Sequence, residues 1–251
     1  MRIELLNKLA RKKIFTIEEA VKITGLGKNT LKVLLNRLEK RGWVERIEKG
    51  KYMIIPLGAE KGEYTLHEFI IGSLLVKPSA MAYWSALNYH GFTEQIPNTV
   101  FVQTTARKKK QDLRIFGVRY KIVRIKPEKF FGIEKVWIEE FQVPITDREK
   151  TVIDCLDKPR YCGGILEVAK AFREELEAEK LREYALRMDN SAVVRRLGYL
   201  CDYFGVNIEL PKPKTRNYIL LDPTMPGEGN VDSKWRVIVN VELGDWNDSN
   251  T

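Results

Sequence analysis

Apolar residues recur at helical spacing in three segments near the start of the chain. Residues 2–11, 17–24 and 28–41 each place their apolar side chains three or four residues apart, which predicts three amphipathic helices. Thr16 followed by Glu19 has the pattern of a capping box and marks where the second helix begins. A Gly-Leu-Gly segment separates the second helix from the third. Two helices joined by a glycine-containing turn indicate a helix-turn-helix.

The hydrophobic pattern changes after the third predicted helix. Gly42 ends that helix, and two short apolar segments follow at 43–47 and 52–55, joined by the basic turn 48–51. This spacing predicts a β-hairpin. A hairpin directly after a helix-turn-helix is similar to the wing of winged-helix regulators. We therefore expect residues 1–56 to form a winged helix-turn-helix domain.

The rest of the chain mixes helical and strand periodicities. Helices are predicted at 69–76, 80–89, 147–158, 164–187 and 190–204, and strands at 100–105, 114–125, 218–221 and 235–241. Residues 57–64 contain two glycines and few apolar side chains, which is typical of a linker, and 245–251 form a polar tail. The fold class predicted is α+β: an N-terminal winged helix-turn-helix and a larger mixed α/β C-terminal domain at 65–244.

Positive charge is concentrated in two segments of this 251-residue chain, whose net charge is +9. Residues 1–56 hold 14 Lys and Arg against 6 Asp and Glu, a net charge of +8. Residues 107–129 hold ten against two, also a net +8, which leaves −7 for the remainder. A basic module beside a nearly neutral body is typical of proteins that bind the phosphate backbone of nucleic acids.

The third predicted helix is the natural element for reading DNA. In winged-helix proteins this helix enters the major groove, and the wing contacts the backbone. The candidates for base contact, which lie off the leucine stripe, are Lys28, Asn29, Lys32 and Asn36, with Thr30 placed for a phosphate. The backbone candidates in the wing are Arg46, Lys49 and Lys51. The alternative is a small helical domain used for protein contact, and the +8 balance argues against it.

The second basic segment allows three interpretations. Its candidate residues are Arg107, Lys108, Lys109, Lys110, Arg119 and Lys121. They could extend the contact with nucleic acid, bind an acidic or nucleotide-bound partner, or form a solvated hairpin. The interleaved aromatics do not decide between these, because strand alternation alone turns aromatic side chains inward.

Few residues in the sequence suit catalysis or metal binding. The three cysteines (Cys155, Cys162 and Cys201) show no CxxC spacing, and the two histidines, His67 and His90, fall at predicted helix ends. Asp147 and Glu149 follow Thr146 in a capping-box pattern, where the helix dipole accounts for their charge. We therefore predict no catalytic residue, no cofactor and no metal. No apolar segment is long enough to span a membrane, and we expect a cytoplasmic protein.

Several segments of the body carry a resemblance to a known family. They are 83–91 (YWSALNYHG), 96–102 (IPNTVFV), 145–154 (ITDREKTVID), 221–223 (LDP) and 234–241 (KWRVIVNV). With the winged helix in front, their order resembles the antitoxins of AbiE-type abortive-infection systems, also described as transcriptional regulators of viral defence. The resemblance implies autorepression through inverted repeats in operator DNA. It further implies that the body counteracts a nucleotidyltransferase-like toxin without a stable complex, and that the protein is a monomer or weak dimer.

Two other functions compete with this one. The protein could be a plain winged-helix regulator whose body senses a ligand or mediates dimerisation. It could instead be an enzyme, such as a nuclease or nucleotidyltransferase, guided by its DNA-binding domain. The enzyme hypothesis needs a carboxylate cluster for metal, and the segment Gly72-Ser73 lacks the Asp-x-Asp that follows it in nucleotidyltransferases. The sequence therefore favours a non-enzymatic antitoxin.

Overall fold

A computed structural model describes residues 7, 9, 12–56 and 66–244. These residues form two compact units. One contains the described residues up to Ile71 together with Arg114–Val118, and the other contains Gly72–Leu113 and those from Arg119 onward. The predicted linker (57–64) and tail (245–251) lie outside the described residues, as does the predicted first helix apart from Asn7 and Leu9. The fold is α+β, a winged helix followed by a larger α/β region, as predicted.

The first unit contains the winged helix. Its elements are β1 (Ile14–Thr16), α1 (Ile17–Thr24), α2 (Lys28–Lys40), β2 (Val44–Glu48) and β3 (Lys51–Ile54). The predicted capping box is present: Thr16 Oγ1 accepts from the Glu19 N–H at 3.1 Å, and Glu19 Oε2 accepts from the Thr16 N–H at 2.8 Å. Gly25 ends α1 in the left-handed conformation, with φ 71°. The helix-turn-helix and the hairpin are confirmed.

The three strands of the first unit form a sheet in the order β1-β3-β2. Strand β1 was not predicted, because its three residues lie directly before the capping box and are too few to show alternation. Phe15 of β1 stacks on Tyr52 of β3 with ring centroids 5.9 Å apart. Both rings belong to the core that buries the leucines of α2. The sheet therefore packs the wing against the buried leucine face of α2.

A mixed sheet follows α3 (Glu68–Leu75), and its strands belong to the second unit except for the residues within Arg114–Val118. Its strands are β4 (Ala80–Met81), β5 (Thr99–Thr104), β6 (Asp112–Ile115), β7 (Val118–Arg124), β8 (Ile133–Ile138) and β9 (Phe141–Thr146). They lie in the order β6-β7-β5-β4-β9-β8. Strand β5 is parallel to β7 and antiparallel to β4, while β9 is parallel to β4 and antiparallel to β8.

Five helices and a small second sheet complete this unit. The helices are α4 (Trp84–Tyr89), α5 (Arg148–Asp157), α6 (Ile165–Ala169), α7 (Ala178–Arg187) and α8 (Ser191–Phe204). The strands are β10 (Ile219–Leu220), β11 (Asn230–Asp232) and β12 (Val237–Val239), in the order β10-β12-β11. Helix α5 is buried from Glu149 to Leu156 and packs against α4, α6, α7 and α8. It is the central helix of the unit.

Two buried arginines join α8 to the small sheet through backbone carbonyls. Arg195 Nε donates to the Trp235 carbonyl at 2.9 Å. Arg196 Nη2 donates to the Leu220 carbonyl of β10 at 3.3 Å, and its Nη1 donates to the Leu156 carbonyl of α5 at 2.8 Å. Burial lowers the pKa of both guanidinium groups. Carbonyl oxygens therefore supply the hydrogen bonds that buried arginines require.

The predicted helix at 80–89 is wrong in its first part. Ala80 and Met81 form strand β4, which pairs with β5 on one side and β9 on the other. The Ser79 hydroxyl, just before this strand, donates to the Ser73 carbonyl at 2.9 Å. Tyr83, at φ 56°, turns the chain before α4 begins. Sheet pairing between distant segments prevails over the local helical pattern.

The predicted strand at 114–125 is in fact part of a hairpin. Phe116 (φ 49°) and Gly117 (φ 82°) form a left-handed turn between β6 and β7. The sequence did not predict this turn, since phenylalanine is an unusual residue at positive φ. The hairpin of β8 and β9 was not predicted either, because Pro144, which argues against a strand, lies opposite Lys135 within it.

Two helical predictions in the second unit also need correction. The stretch 164–187 is divided into α6, a 3-10 turn at Lys170–Arg173 and α7. Before α5, the N-cap is Asp147, which accepts from the Lys150 N–H at 2.8 Å. Glu149 does not complete a capping box. Its carboxylate accepts from the Glu177 N–H at 3.1 Å and therefore holds the start of α7.

Candidate nucleic-acid interface

Helix α2 has one buried face and one exposed face. Leu31, Leu35 and Leu38 point into the core with no more than 1% of their surface exposed. The five candidate residues on this helix, Lys28, Asn29, Thr30, Lys32 and Asn36, are all exposed. The sequence predicted that these side chains lie on the solvent side of α2, and the structure places them there.

The structure adds residues to the exposed face of α2. Asn29, Val33, Asn36 and Lys40 follow one another at spacings of four, three and four residues, so they form one stripe along the helix. Val33 is 55% exposed. Arg37 is also exposed beside this stripe. The sequence interpretation did not include Val33, Arg37 or Lys40 in the exposed face of α2, although their helical spacing also predicts that position.

Lys28 lies at the first position of α2 and contacts α1. Its Nζ lies 2.6 Å from Glu18 Oε1, and both side chains are more than half exposed. The hydrogen bond from Lys28 lowers the pKa of the Glu18 carboxyl. One positive charge at the start of α2 is thereby partly compensated by the protein itself.

The wing presents cations at its tip. Lys49 and Gly50 connect β2 to β3, and Gly50 has a φ of 83°. Lys49 and Arg46 are exposed. The Arg46 Nε donates to the Glu48 carbonyl at 3.4 Å. Lys51 is half-buried and pairs with the Glu48 carboxylate at 2.7 Å. Of the three wing candidates, Arg46 and Lys49 are the ones whose charges face solvent.

Several cations of this unit are free to bind an anion. Within the described part of the chain, no ion pair joins Lys32, Arg37, Lys40 or Lys49 to a carboxylate. Three of them lie on α2 and one at the tip of the wing. An exposed helix with amide side chains, flanked by unpaired cations, is suited to a polyanion that also presents hydrogen-bonding edges.

The comparisons with known proteins bear on this unit. Residues 4–55 match the family model described as a transcriptional regulator and AbiEi antitoxin. The N-terminal domain is AbiEi-like. The match confirms the resemblance at the N-terminus, where it covers the winged helix, whose described part has the geometry given above. The matched family is described as a regulator and antitoxin, which supports DNA binding and regulation by this chain.

Similarity extends beyond the AbiEi-like domain at the level of the fold. The crystal structure of the RV2827C protein from Mycobacterium tuberculosis matches with a TM-score of 0.65 and 14% sequence identity, covering 93% of this chain and 89% of that one. At this identity the likeness concerns the fold alone. No curated protein matches the sequence.

The second basic segment lies outside the AbiEi-like domain. Residues 107–110 connect β5 to β6, and Arg119 and Lys121 belong to β7. Two of the six candidates are bound within the protein: Lys108 Nζ donates to the Leu75 carbonyl at 2.5 Å, and Lys121 pairs with Asp112 at 2.8 Å. The other four are exposed and make no ion pair with a described residue: Arg107, Lys109, Lys110 and Arg119.

Most polar residues of the body segments on which the sequence resemblance was based have structural roles. The Ser85 hydroxyl accepts from the Phe101 N–H at 2.9 Å. Asp222 accepts from the Ile165 N–H at 2.7 Å and so caps α6. Lys150 pairs with Asp154 inside the core, where burial raises the pKa of the Asp154 carboxyl. These groups hold the second unit together and are closed to a substrate.

The titratable groups suited to metal or covalent chemistry are buried or dispersed. Among the described residues, no group of three His, Cys, Asp or Glu side chains is arranged to hold a metal ion. Cys155, Cys162 and Cys201 are buried thiols, and burial raises the pKa of Cys201 to about 12. No helix in the described ranges is long and apolar enough to cross a membrane.

Proposed function

We propose that this protein is a DNA-binding antitoxin that represses its own operon. In this proposal the winged helix binds inverted repeats in the operator, with α2 in the major groove and the wing on the backbone. The C-terminal unit counteracts a nucleotidyltransferase-like toxin without forming a stable complex. The protein acts in the cytoplasm as a monomer or weak dimer in defence against viruses by abortive infection, and it has no enzymatic activity.

The exposed face of α2, with its amide and lysine side chains, is the observation that most directly supports DNA binding. Amide side chains form hydrogen bonds with base edges, and lysines neutralise phosphates. The proposed base contacts are Lys28, Asn29, Lys32 and Asn36, with Thr30 on a phosphate; Arg46, Lys49 and Lys51 are the proposed wing contacts. The match of residues 4–55 to a family of transcriptional regulators supports DNA binding by this domain.

The antitoxin part rests on the family match and on the size of the second unit. Most of the chain follows the winged helix, and DNA binding alone would not need it. Arg107, Lys109, Lys110 and Arg119 are the exposed cations of the second basic segment. We propose that they bind an acidic partner or additional nucleic acid, while Lys108 and Lys121 support them from within the fold.

An alternative is a winged-helix regulator whose second unit senses a ligand or mediates dimerisation. The two proposals differ in what the neighbouring gene encodes. A neighbour that resembles a nucleotidyltransferase and is toxic on expression favours the antitoxin. An unrelated neighbour favours the alternative.

Co-expression of the full-length protein with that neighbour tests the proposal. Growth measures neutralisation, and a promoter reporter in the same cells measures repression. Lys32→Glu with Lys49→Glu should abolish repression and preserve rescue, since it reverses charge only on the winged helix. Failure of the unmodified protein to rescue growth contradicts the antitoxin function.

The second basic segment is tested in the same cells. Lys109→Glu with Lys110→Glu abolishes rescue if the segment binds the partner, and weakens repression if it binds DNA. The matched control is Lys212→Glu with Lys214→Glu, which makes the same charge change at two exposed lysines elsewhere in the second unit. A solvated hairpin predicts that the test variant and the control behave alike.

A further inference from the structure

The stripe along α2 contains an apolar side chain between two amides. Asn29 lies four residues before Val33, and Asn36 lies three residues after it. Val33 is 55% exposed and is not among the side chains that form the core of this unit. Its position on the solvent side of the helix therefore has no packing explanation in the described residues.

The three side chains have different and complementary preferences for base edges. An asparagine amide can both donate and accept, and it pairs with the N6 and N7 atoms of adenine in the major groove. An apolar side chain contacts the 5-methyl group of thymine, which is the one apolar group in that groove. All three preferences point to A·T pairs.

The spacing along the helix fits neighbouring base pairs. At about 1.5 Å per residue, Val33 lies about 6 Å from Asn29 and about 4.5 Å from Asn36 along the helix axis. Base pairs in a duplex are about 3.4 Å apart. Each amide is therefore one or two base steps from the valine, and the stripe spans about three or four base pairs.

We propose that Val33 contacts the methyl group of a thymine in the major groove, and that Asn29 and Asn36 select adenines on either side of it. Helix α2 then reads a short run of A·T pairs in each half-site. This inference rests on the proposed DNA-binding function and specifies what that function recognises. Arg37 and Lys40 hold the backbone, and these three side chains add a preference for A·T pairs to the base contacts proposed for Lys28 and Lys32.

The test begins with duplexes selected from a random pool by the full-length protein. Each thymine of the enriched half-site is then replaced in turn by uracil, which lacks only the 5-methyl group. At one thymine, the replacement should weaken binding about three- to fivefold, the factor that corresponds to one buried methyl group. That thymine should lie within two base steps of A·T pairs whose replacement by G·C also weakens binding.

Val33→Ser is the informative variant, because serine and valine have similar helix propensities and the helix should persist. It should bind the thymine and uracil duplexes equally. Val231→Ser makes the same change at an exposed valine of β11 and should retain the wild-type sensitivity to uracil. Circular dichroism melting curves verify that both variants are folded.

The outcomes separate this inference from the function on which it depends. Sequence-selective binding with no sensitive thymine overturns the inference alone. Sensitivity that persists in Val33→Ser also overturns it. If the full-length protein enriches no duplex from the pool, the proposed DNA-binding function fails together with the inference.

Discussion

Lys28 Nζ of α2 lies 2.6 Å from Glu18 Oε1 of α1, so the lysine at the start of the proposed recognition helix is held by a carboxylate of its own domain. Both side chains are largely exposed, and exposed ion pairs contribute little to folding. The pair therefore bears more on binding than on stability. Glu18 binds the Lys28 ammonium group, which would otherwise be available to a phosphate or a base edge. The negative charge of Glu18 also repels a polyanion.

Glu18→Gln should strengthen DNA binding. Removing the carboxylate releases Lys28, so we expect affinity to rise about three- to tenfold at low salt and the salt dependence to steepen by about one released counterion. The melting temperature should not change appreciably. Fluorescence anisotropy across a salt series measures both quantities. Glu228→Gln, with the same charge change in the second unit, should have no effect, and equal gains in the two variants would contradict this role of Glu18.

Asn29→Ala and Lys49→Ala should weaken binding in different ways. Loss of a base contact by Asn29 should cost about 1–3 kcal/mol and reduce sequence preference. Loss of a phosphate contact by Lys49 should weaken all sequences similarly and reduce the salt slope by about one unit. Competition titrations with specific and unrelated duplexes distinguish the two. If neither variant differs from the unmodified protein, the assignment of α2 and the wing is wrong.

Gly198→Ala should destabilise the second unit. A Cβ at this position of α8 would lie 2.5 Å from Cε2 of Trp235. The indole cannot easily retreat, because its Nε1 donates to Asp202 Oδ2 at 2.6 Å. Overpacking of this kind costs about 1–3 kcal/mol in the free energy of unfolding, measured by urea titration. Gly227→Ala is the control, since its nearest neighbour would be 3.9 Å away; similar losses in both would show that the contact with Trp235 is not the cause.

Lys150→Met should destabilise the protein because it leaves Asp154 buried without its cation. Removing one partner of a buried pair costs about 3–5 kcal/mol. Burial already raises the pKa of Asp154. A carboxyl with a higher pKa in the folded state takes up a proton on folding, so stability increases as pH falls through that pKa. The variant should therefore recover stability relative to the unmodified protein as the pH falls through the raised pKa of Asp154.

The double variant Lys150→Met with Asp154→Leu controls for this charge effect. It removes both charges. Its free energy of unfolding should exceed that of the single variant and should not show the single variant's added dependence on pH. Equal stability of the single and double variants would show that the pair is not coupled.

The sequence predicted the winged helix well because its signals are local. The capping box at Thr16 and Glu19 and the leucine spacing of α2 each lie within one or two helical turns. The exposed positions of Asn29 and Asn36 followed directly from that spacing. The same pattern contained Val33, but an apolar residue off the core stripe was not interpreted as a base contact.

The parts that the sequence could not predict depend on distant pairing. Strand β4 is only two residues long and exists because Ala80 and Met81 pair with β5 and β9. The ion pair of Lys28 with Glu18 depends on how the Gly25-Leu26-Gly27 turn orients α1 against α2. The burial of Lys150 depends on helices that follow α5 in the chain. None of these relationships leaves a periodic signal in its own segment.

Binding of the full-length protein to a duplex from upstream of its own gene tests the central claim most directly. Fluorescence anisotropy should show saturable binding that falls steeply with salt, and Lys32→Glu with Lys49→Glu should abolish it while the melting curve stays unchanged. A charge-reversed variant that binds this duplex with an unchanged Kd would contradict the account, because the winged helix would then not be the DNA-binding element.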